Sequence, residues 1–186
     1  MDNVFPLNIE TERLYLDVLN EDFAPEVLDF FNRNKGYFEQ FEPILSQDFY
    51  TQEHQEQILE YEFDRILDGD MIRYWLSTKD NPGVIIGTIS YRNIIRRVYN
   101  SCTVGYKMDM HYQNKGYCTE ALDYTLKNVI APSGIHRVEA FIMPSNAPSL
   151  HMVEKVGFAR EGLLKDKFTL NDKRLDHYLY AYIADN

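Results

Sequence analysis

The sequence predicts a mixed α/β protein of the α+β kind, with helices flanking a meandering, mostly antiparallel central sheet. Three observations predict it. Strand-like segments at 72–78, 84–91 and 101–108 follow one another with turns rather than helices between them. Segments of helical period precede this meander and alternate with the strands that follow it. Finally, 45% of the 186 residues are hydrophobic and 14% aromatic, enough to bury the core of one domain spanning residues 1–186.

A first strand is read at Arg13–Val18, where apolar and polar residues partly alternate. Asn20, Glu21 and Asp22 offer cap chemistry for a helix through Phe31, with Val27, Leu28, Phe30 and Phe31 apolar. Tyr37–Pro43 forms an aromatic and acidic loop. Thr51 can cap a second helix, in which Ile58, Leu59, Phe63, Ile66 and Leu67 recur near helical spacing and which Gly69 stops. The meander has its strongest turn chemistry at Asp80-Asn81-Pro82-Gly83. A helix is expected from Thr119 to Ile130, ending before Pro132, with Leu122, Leu126, Val129 and Ile130 on one face. A strand at 136–142 and a helix at 148–156 follow. The tail offers strands near Phe158–Phe168 and Arg174–Ile183, hinged at Asn171-Asp172-Lys173.

Composition narrows the function. Purely apolar runs are only a few residues long, Val84-Ile85-Ile86 among them, so no membrane span is expected. Met1–Glu10 lacks a basic segment followed by an apolar one, so no secretory signal is expected. Cys102 and Cys118 make neither a CxxC pair nor a disulfide framework, and free thiols in a reducing cytoplasm follow. A net charge of −10 argues against direct nucleic-acid binding and suits a cationic partner such as an amine or a basic protein tail. Plain solubility accounts for that charge equally well. His54, His111, His136, His151 and His177 are scattered without an HExxH or other close ligand pair, so no metal is expected. By their sequence neighbours His111 and His151 could lie near the cofactor, but an ordinary surface or packing role is the more common one for each.

The chemistry concentrates between Gly105 and Phe158. Gln113-Asn114-Lys115-Gly116-Tyr117-Cys118 is a turn ahead of a helix. A helix N-terminus presents unpaired N–H groups and partial positive charge, and a glycine lets a phosphate approach the chain. Lys115 could add charge and Thr119 could cap the helix. An ordinary tight turn fits the same residues, and the P-loop pattern is absent. Gly105, before Tyr106-Lys107-Met108, fits a bulge, a close backbone approach or an incidental glycine in a strand. Asn146 fits a helix cap, Pro148 a first turn, and Gly157 with Phe158 a left-handed helix end. Ser149 is either a further capping hydroxyl or a proton donor to a leaving group. No Gly-x-Ser-x-Gly elbow surrounds it.

The order and spacing of these segments resemble the GNAT superfamily of acetyl-CoA-dependent N-acetyltransferases, over about residues 84 to 183, with weaker agreement at Thr11-Glu12-Arg13-Leu14. Asn146-Ala147-Pro148-Ser149 and Glu154-Lys155-Val156-Gly157-Phe158 resemble the RimJ/RimL-type ribosomal-protein N-terminal acetyltransferases. The resemblance implies a sheet of about six to seven strands flanked by about four helices. It implies that acetyl-CoA is held by the turn, at Gln113, Asn114, Lys115, Gly116, Tyr117, Cys118 and Thr119. It further implies that the backbone of Tyr106, Lys107 and Met108 pairs with the pantetheine arm on a strand splayed from its neighbour. In this branch Asn146 contacts the pantetheine and Ser149 protonates the thiolate. Cys118 replaces the usual Gly or Ala of the turn and is read as a small buried hydrophobe. Val153 stands where many relatives have a Tyr, and Ser101-Cys102-Thr103 lacks the Glu that many carry. The general base is therefore left to a water chain or to an acid such as Glu39, Glu42 or Asp48.

The expected activity is acetyl transfer to a primary amine by direct attack, the acceptor being a protein N-terminus, ribosomal or otherwise basic. A small-molecule amine acetyltransferase (polyamine, amino acid or aminoglycoside) and a non-catalytic acetyl-CoA-binding module are the alternatives. A homodimer is compatible with all three.

Overall fold

A computed structural model describes residues 5–184. The reading of the N-terminus without a leader falls partly on residues 1–4, which lie outside the described residues. Eight strands form one sheet: β1 (Asn8–Glu10), β2 (Leu14–Asp17), β3 (Ile72–Thr78), β4 (Gly87–Ile95), β5 (Ser101–Met108), β6 (Arg137–Ile142), β7 (Ala159–Leu170) and β8 (Lys173–Ile183). Their order across the sheet is β1-β2-β3-β4-β5-β6-β8-β7. The helices are α1 (Ala24–Phe38), α2 (Gln52–Leu67), α3 (Tyr117–Thr125) and α4 (Ala147–Val156). The mixed architecture and the four helices match expectation. The sheet is wider than six or seven strands because Asn8–Glu10, too short to show a period in sequence, pairs antiparallel with β2. Among the described residues, no helix is long and apolar enough to cross a membrane.

Every neighbouring pair of strands is antiparallel except β5 and β6. Those two are joined through α3, the crossover that a parallel pair requires. They pair over Ser101–Thr103 and Arg137–Glu139 only. From Val104 onward β5 keeps its β4 ladder but loses β6. The sheet opens there.

Register assigns side chains to the two faces. Tyr74, Ile89 and Tyr106 are cross-strand neighbours, as are Trp75, Thr88 and Lys107. On the first face Tyr74, Ile89 and Val104 are buried with Ala121, Leu122 and Leu126 and with Val153 and Val156 of α4. On the second, Trp75 meets Phe30 and Phe31 of α1 edge-on, at centroid distances of 5.9 and 6.0 Å, beside Leu59 of α2. Two helical layers thus sandwich the sheet.

Several boundaries differ from the sequence expectation. A 3₁₀ turn at Glu21–Phe23 precedes α1, and Asn20 caps no backbone amide. α1 runs on to Phe38, taking in Tyr37 and Phe38 from the expected loop. Polar Asn34 hides that extension, yet it is buried because its side chain bonds Asp109 Oδ2 at 3.0 Å and accepts from the Met110 amide at 2.9 Å. Thr51 caps α2 through the His54 amide, and Gly69 ends the segment at φ +76°. The buried face of α2 is Gln55, Leu59, Glu62 and Ile66, so Leu67 is exposed. β4 begins at Gly87 rather than Val84, whose amide still belongs to the preceding turn and bonds the Asn81 carbonyl at 3.3 Å; a Cβ on Gly87 would stand 2.5 Å from Met108 Sδ and 2.7 Å from the Lys107 carbonyl. It continues to Ile95 past a bulge after Arg92.

α3 starts at Tyr117, with Gly116 as its cap at φ +80°. Thr119 lies inside the first turn and caps nothing. The α-helix stops at Thr125, where a π turn, Leu126–Ile130, and a 3₁₀ turn through Pro132 to Ser133 continue the path. Thr125 Oγ1 bonds the carbonyl of Ala121 at 2.7 Å and lies 2.7 Å from the Tyr91 hydroxyl, inserting a side chain into the helical ladder.

Candidate active site

The opening between β5 and β6 becomes a cavity of about 540 Å³. Val104–Met108 form one wall and Ala140–Met143 the other. β5 alternates across the opening, so Tyr106 belongs to the α3/α4 face and Lys107 to the α1/α2 face. The cavity therefore passes through the sheet.

On the α3/α4 face lies the 113–118 turn. Gln113, Asn114, Gly116, Tyr117, Cys118 and Thr119 all line the cavity. Lys115 does not; its ammonium sits 4.7 Å from the Tyr112 ring centre. The first bond of α3 runs from the Glu120 amide to Gly116 O at 3.0 Å, which leaves the Tyr117, Cys118 and Thr119 amides ahead of the helical ladder. Amides left free at a helix start beside an αL glycine are the kind of donors that anions accept from. A Cβ on Gly116 would press to 3.3 Å of Arg13 Nη2.

Arg13 holds this turn in place. It donates to the Lys115 carbonyl at 2.9 Å and to Glu120 Oε2 at 2.6 Å, and its guanidinium lies 4.7 Å from the Tyr117 ring centre. Thr11 Oγ1 donates to Glu120 Oε1 at 2.7 Å. Partial burial alone would raise the Glu120 carboxyl, but donors from Thr11 and Arg13 outweigh it and hold the group below its ordinary range. From the other side, Asp109 accepts from Arg33 at 2.6 Å and from Asn34 at 3.0 Å, fixing the exit of β5 against α1. Neither clamp was read in the sequence. The Thr11–Leu14 resemblance was its only trace.

Ser149 Oγ lies 2.5 Å from the Tyr106 hydroxyl. The Ser149 amide donates to Asn146 Oδ1 at 3.3 Å, so Asn146 caps α4 and the serine hydroxyl is spent on tyrosine instead. Gly157, at φ +102°, ends the helix, with the Phe158 amide returning to Val153 O at 3.0 Å. Burial pushes the Tyr106 phenol well up, against the lowering effect of Ser149. Cys118 is half-buried and lines the cavity rather than being fully packed away, and desolvation pushes its thiol up to about 12, which works against a thiolate nucleophile. Of the readings open for Gly105, a bulge in the β4 ladder is not found: the ladder from Gly87 to Arg92 runs unbroken opposite Met108 to Thr103. An added Cβ there would meet only Ser90 Oγ, at 3.7 Å.

The α1/α2 face is lined by Phe38, Phe41 and Glu42 on one side and Phe141, Phe168 and His177 on the other. Lys107 donates to Glu42 across it and lies 5.6 Å from the Phe38 ring centre. Glu42 alone of the three expected acids reaches the cavity; Glu39 and Asp48 do not line it. His111 and His151 are exposed and outside it, as the surface reading has them, whereas His177, for which the sequence offered no role, lines it.

The sequence and fold have close counterparts. The family model described as an acetyltransferase (GNAT) domain matches residues 13–159. The "Probable N-acetyltransferase YjcK" of Bacillus subtilis is 31% identical over 176 residues, covering 94% of this chain and 96% of that one. The [ribosomal protein uS5]-alanine N-acetyltransferase of Escherichia coli is 27% identical over 181 residues, covering 96% and 92%. The solved ribosomal-protein-S5-alanine acetyltransferase of Vibrio fischeri superposes with a TM-score of 0.91 at 28% identity, covering 97% of this chain and 98% of that one. The microcin C7 self-immunity acetyltransferase MccE, solved with acetyl-CoA and AMP, shares the fold at a TM-score of 0.86 and 20% identity over 98% and 99%. The domain match begins at Arg13, the clamp of the 113–118 turn, and spans the opened strand pair with both helices beside it, so the chain belongs to the GNAT family of N-acetyltransferases.

Proposed function

We propose that the acceptor is the α-amine of a protein N-terminus, acetylated from acetyl-CoA by direct attack. The observation that carries this is the cavity through the sheet, with a hydroxyl pair on one face and a carboxylate among aromatic side chains on the other. The cradle of Gly116 and the Tyr117, Cys118 and Thr119 amides would hold the pyrophosphate, with Gln113 and Asn114 beside it. The unpaired edge of Tyr106, Lys107 and Met108 would hold the arm as an added strand, with Asn146 near it. Acetyl-CoA, when bound, supplies an acetyl group already activated as a thioester.

The chain's own residues do the rest. Tyrosine is the better donor of the two hydroxyls, so Tyr106 donates to Ser149 and frees the serine hydrogen for the cavity. Burial keeps Tyr106 protonated, and the pair holds a proton at Ser149 Oγ for a departing sulfur. Cys118 lines the cavity half-buried, and desolvation of its thiol favours the protonated form, which disfavours an acyl-thiol route. The amine enters on the opposite face, past Glu42. Alignment of two reactants in one channel is the main contribution. Two relatives named for acetylating ribosomal-protein alanine support the N-terminal acceptor, and so does the net charge of −10. A screen following thiol release from acetyl-CoA over N-terminal peptides, polyamines, amino acids and aminoglycosides tests it. Turnover confined to small amines overturns it, and no turnover on any amine favours a binding module.

A further inference from the structure

We propose that His177 is the general base that takes the proton from the acceptor ammonium. This rests on the amine acceptor proposed above. His177 is 8% exposed and lines the cavity. Register places it on the acceptor face: Thr103 pairs with Glu139, Glu139 with Ala181 and Phe141 with Leu179, and His177 continues that alternation two residues beyond Leu179. Its Nδ1 lies 3.1 Å from the Leu175 carbonyl. A carbonyl only accepts, so Nδ1 carries the hydrogen and Nε2 of the neutral ring keeps its lone pair.

The ring is held in place. In β7 three residues, Lys165–Lys167, bulge between the pairs Leu164–His177 and Phe168–Leu175. Asp176 pins the bulge by accepting from Lys165 Nζ at 2.7 Å and from the Asp166 amide at 3.0 Å. The bulge turns Phe168 perpendicular to the imidazole, with centroids 4.9 Å apart. Tyr37 of α1 also lines the cavity, and the following charged groups, on or beside this half, have partners among the described residues. Lys107 and Glu42 pair with each other, Asp176 pairs with Lys165, and the Lys167 ammonium sits over Phe141 and Phe168 at 4.5 and 5.4 Å. Tyr106 and Ser149 occupy the opposite face, where an acid is needed.

The balance closes with these groups. The ammonium gives one proton to Nε2 and its nitrogen forms the C–N bond as the C–S bond breaks. Sulfur leaves with the electron pair and takes a proton from Ser149. The second proton lost by nitrogen restores that hydroxyl through solvent, and His177 releases its own proton to solvent.

Two measurements test it. In His177→Gln, kcat should fall by about 10²-fold or more and the acidic limb of the pH–rate profile should move up towards the titration of the amine itself, while KM for acetyl-CoA stays within about twofold. In the wild-type protein without acetyl-CoA, NMR of the imidazole C–H groups should show the signal nearest the Phe168 ring shifting when an N-terminal peptide is added. A kcat loss below about tenfold, or an unmoved acidic limb, overturns the proposal. If the variant does not fold, an unmoved signal overturns it. A wild-type enzyme that acetylates no amine overturns the acceptor class, which is a separate outcome.

Discussion

The hydroxyls of Tyr106 and Ser149 meet 2.5 Å apart, one from the strand that loses its partner and one from the first turn of the helix above it. The contact exists because Asn146, not Ser149, caps α4. Ser149→Ala should lower kcat by about 10²–10⁴ and leave the calorimetric affinity for CoA nearly unchanged. Tyr106→Phe should act through the same proton, so its loss and that of Ser149→Ala should not add in the double variant. Unchanged turnover in Ser149→Ala would return the serine to a packing role.

Gly116 is a second point of decision. Its φ of +80° strains any residue with a Cβ, and that Cβ would press on Arg13. Gly116→Val should weaken CoA binding by about 1–3 kcal/mol through lost charge-assisted bonds at the cradle. Isothermal calorimetry of both folded proteins measures it, and equal affinities would remove the cradle from cofactor binding.

Glu120 gives a pH dependence with a definite sign. Its carboxyl is held below the ordinary range, so the folded protein binds fewer protons there than the unfolded chain does in acid. That stabilisation is complete above the unfolded value of ~4.3 and is lost as pH falls through the lower folded value. The urea midpoint of wild type should therefore exceed that of Glu120→Gln at pH 7, and the gap should close on acidification below about pH 4. A gap that persists unchanged in acid would mean that Glu120 acts by packing and not by charge.

What was legible in sequence was whatever depends on neighbours along the chain. Ser101–Met108 alternates and was bounded to the residue. The Thr51 cap, the Asn146 cap and the Gly157 stop are local chemistry and stand as read. What was hidden joins distant segments. Asn34 breaks an apolar helical face in sequence, yet it is buried by a partner 75 residues away. The Arg13–Glu120 clamp spans 107 residues. His177 carries no motif, and only the β6–β8 register and a bulge in β7 bring it to the cavity while leaving His111 and His151 in solvent. The parting of β5 from β6 is a property of pairing that neither strand's residues declare.

The acceptor face makes the last prediction. Attack requires a neutral amine. An α-amino group titrates near ~8 and a lysine side chain near ~10.4, so below both values the α-amine has a ~250-fold larger neutral fraction. The cavity adds Glu42, whose carboxylate balances the Lys107 ammonium that would otherwise repel a cationic acceptor, beside the aromatic wall of Phe38, Phe41, Phe141 and Phe168. Peptides that carry both a free N-terminus and an internal lysine should be labelled on the N-terminus first, and the preference should shrink as pH rises towards 10. Glu42→Gln should raise KM for the peptide several-fold and leave KM for acetyl-CoA unchanged, because it acts on one face of the sheet only. Fragment mass spectrometry locates the acetyl group. Label found on lysine alone, or a Glu42→Gln effect on acetyl-CoA rather than on the peptide, would reverse the assignment of the two faces.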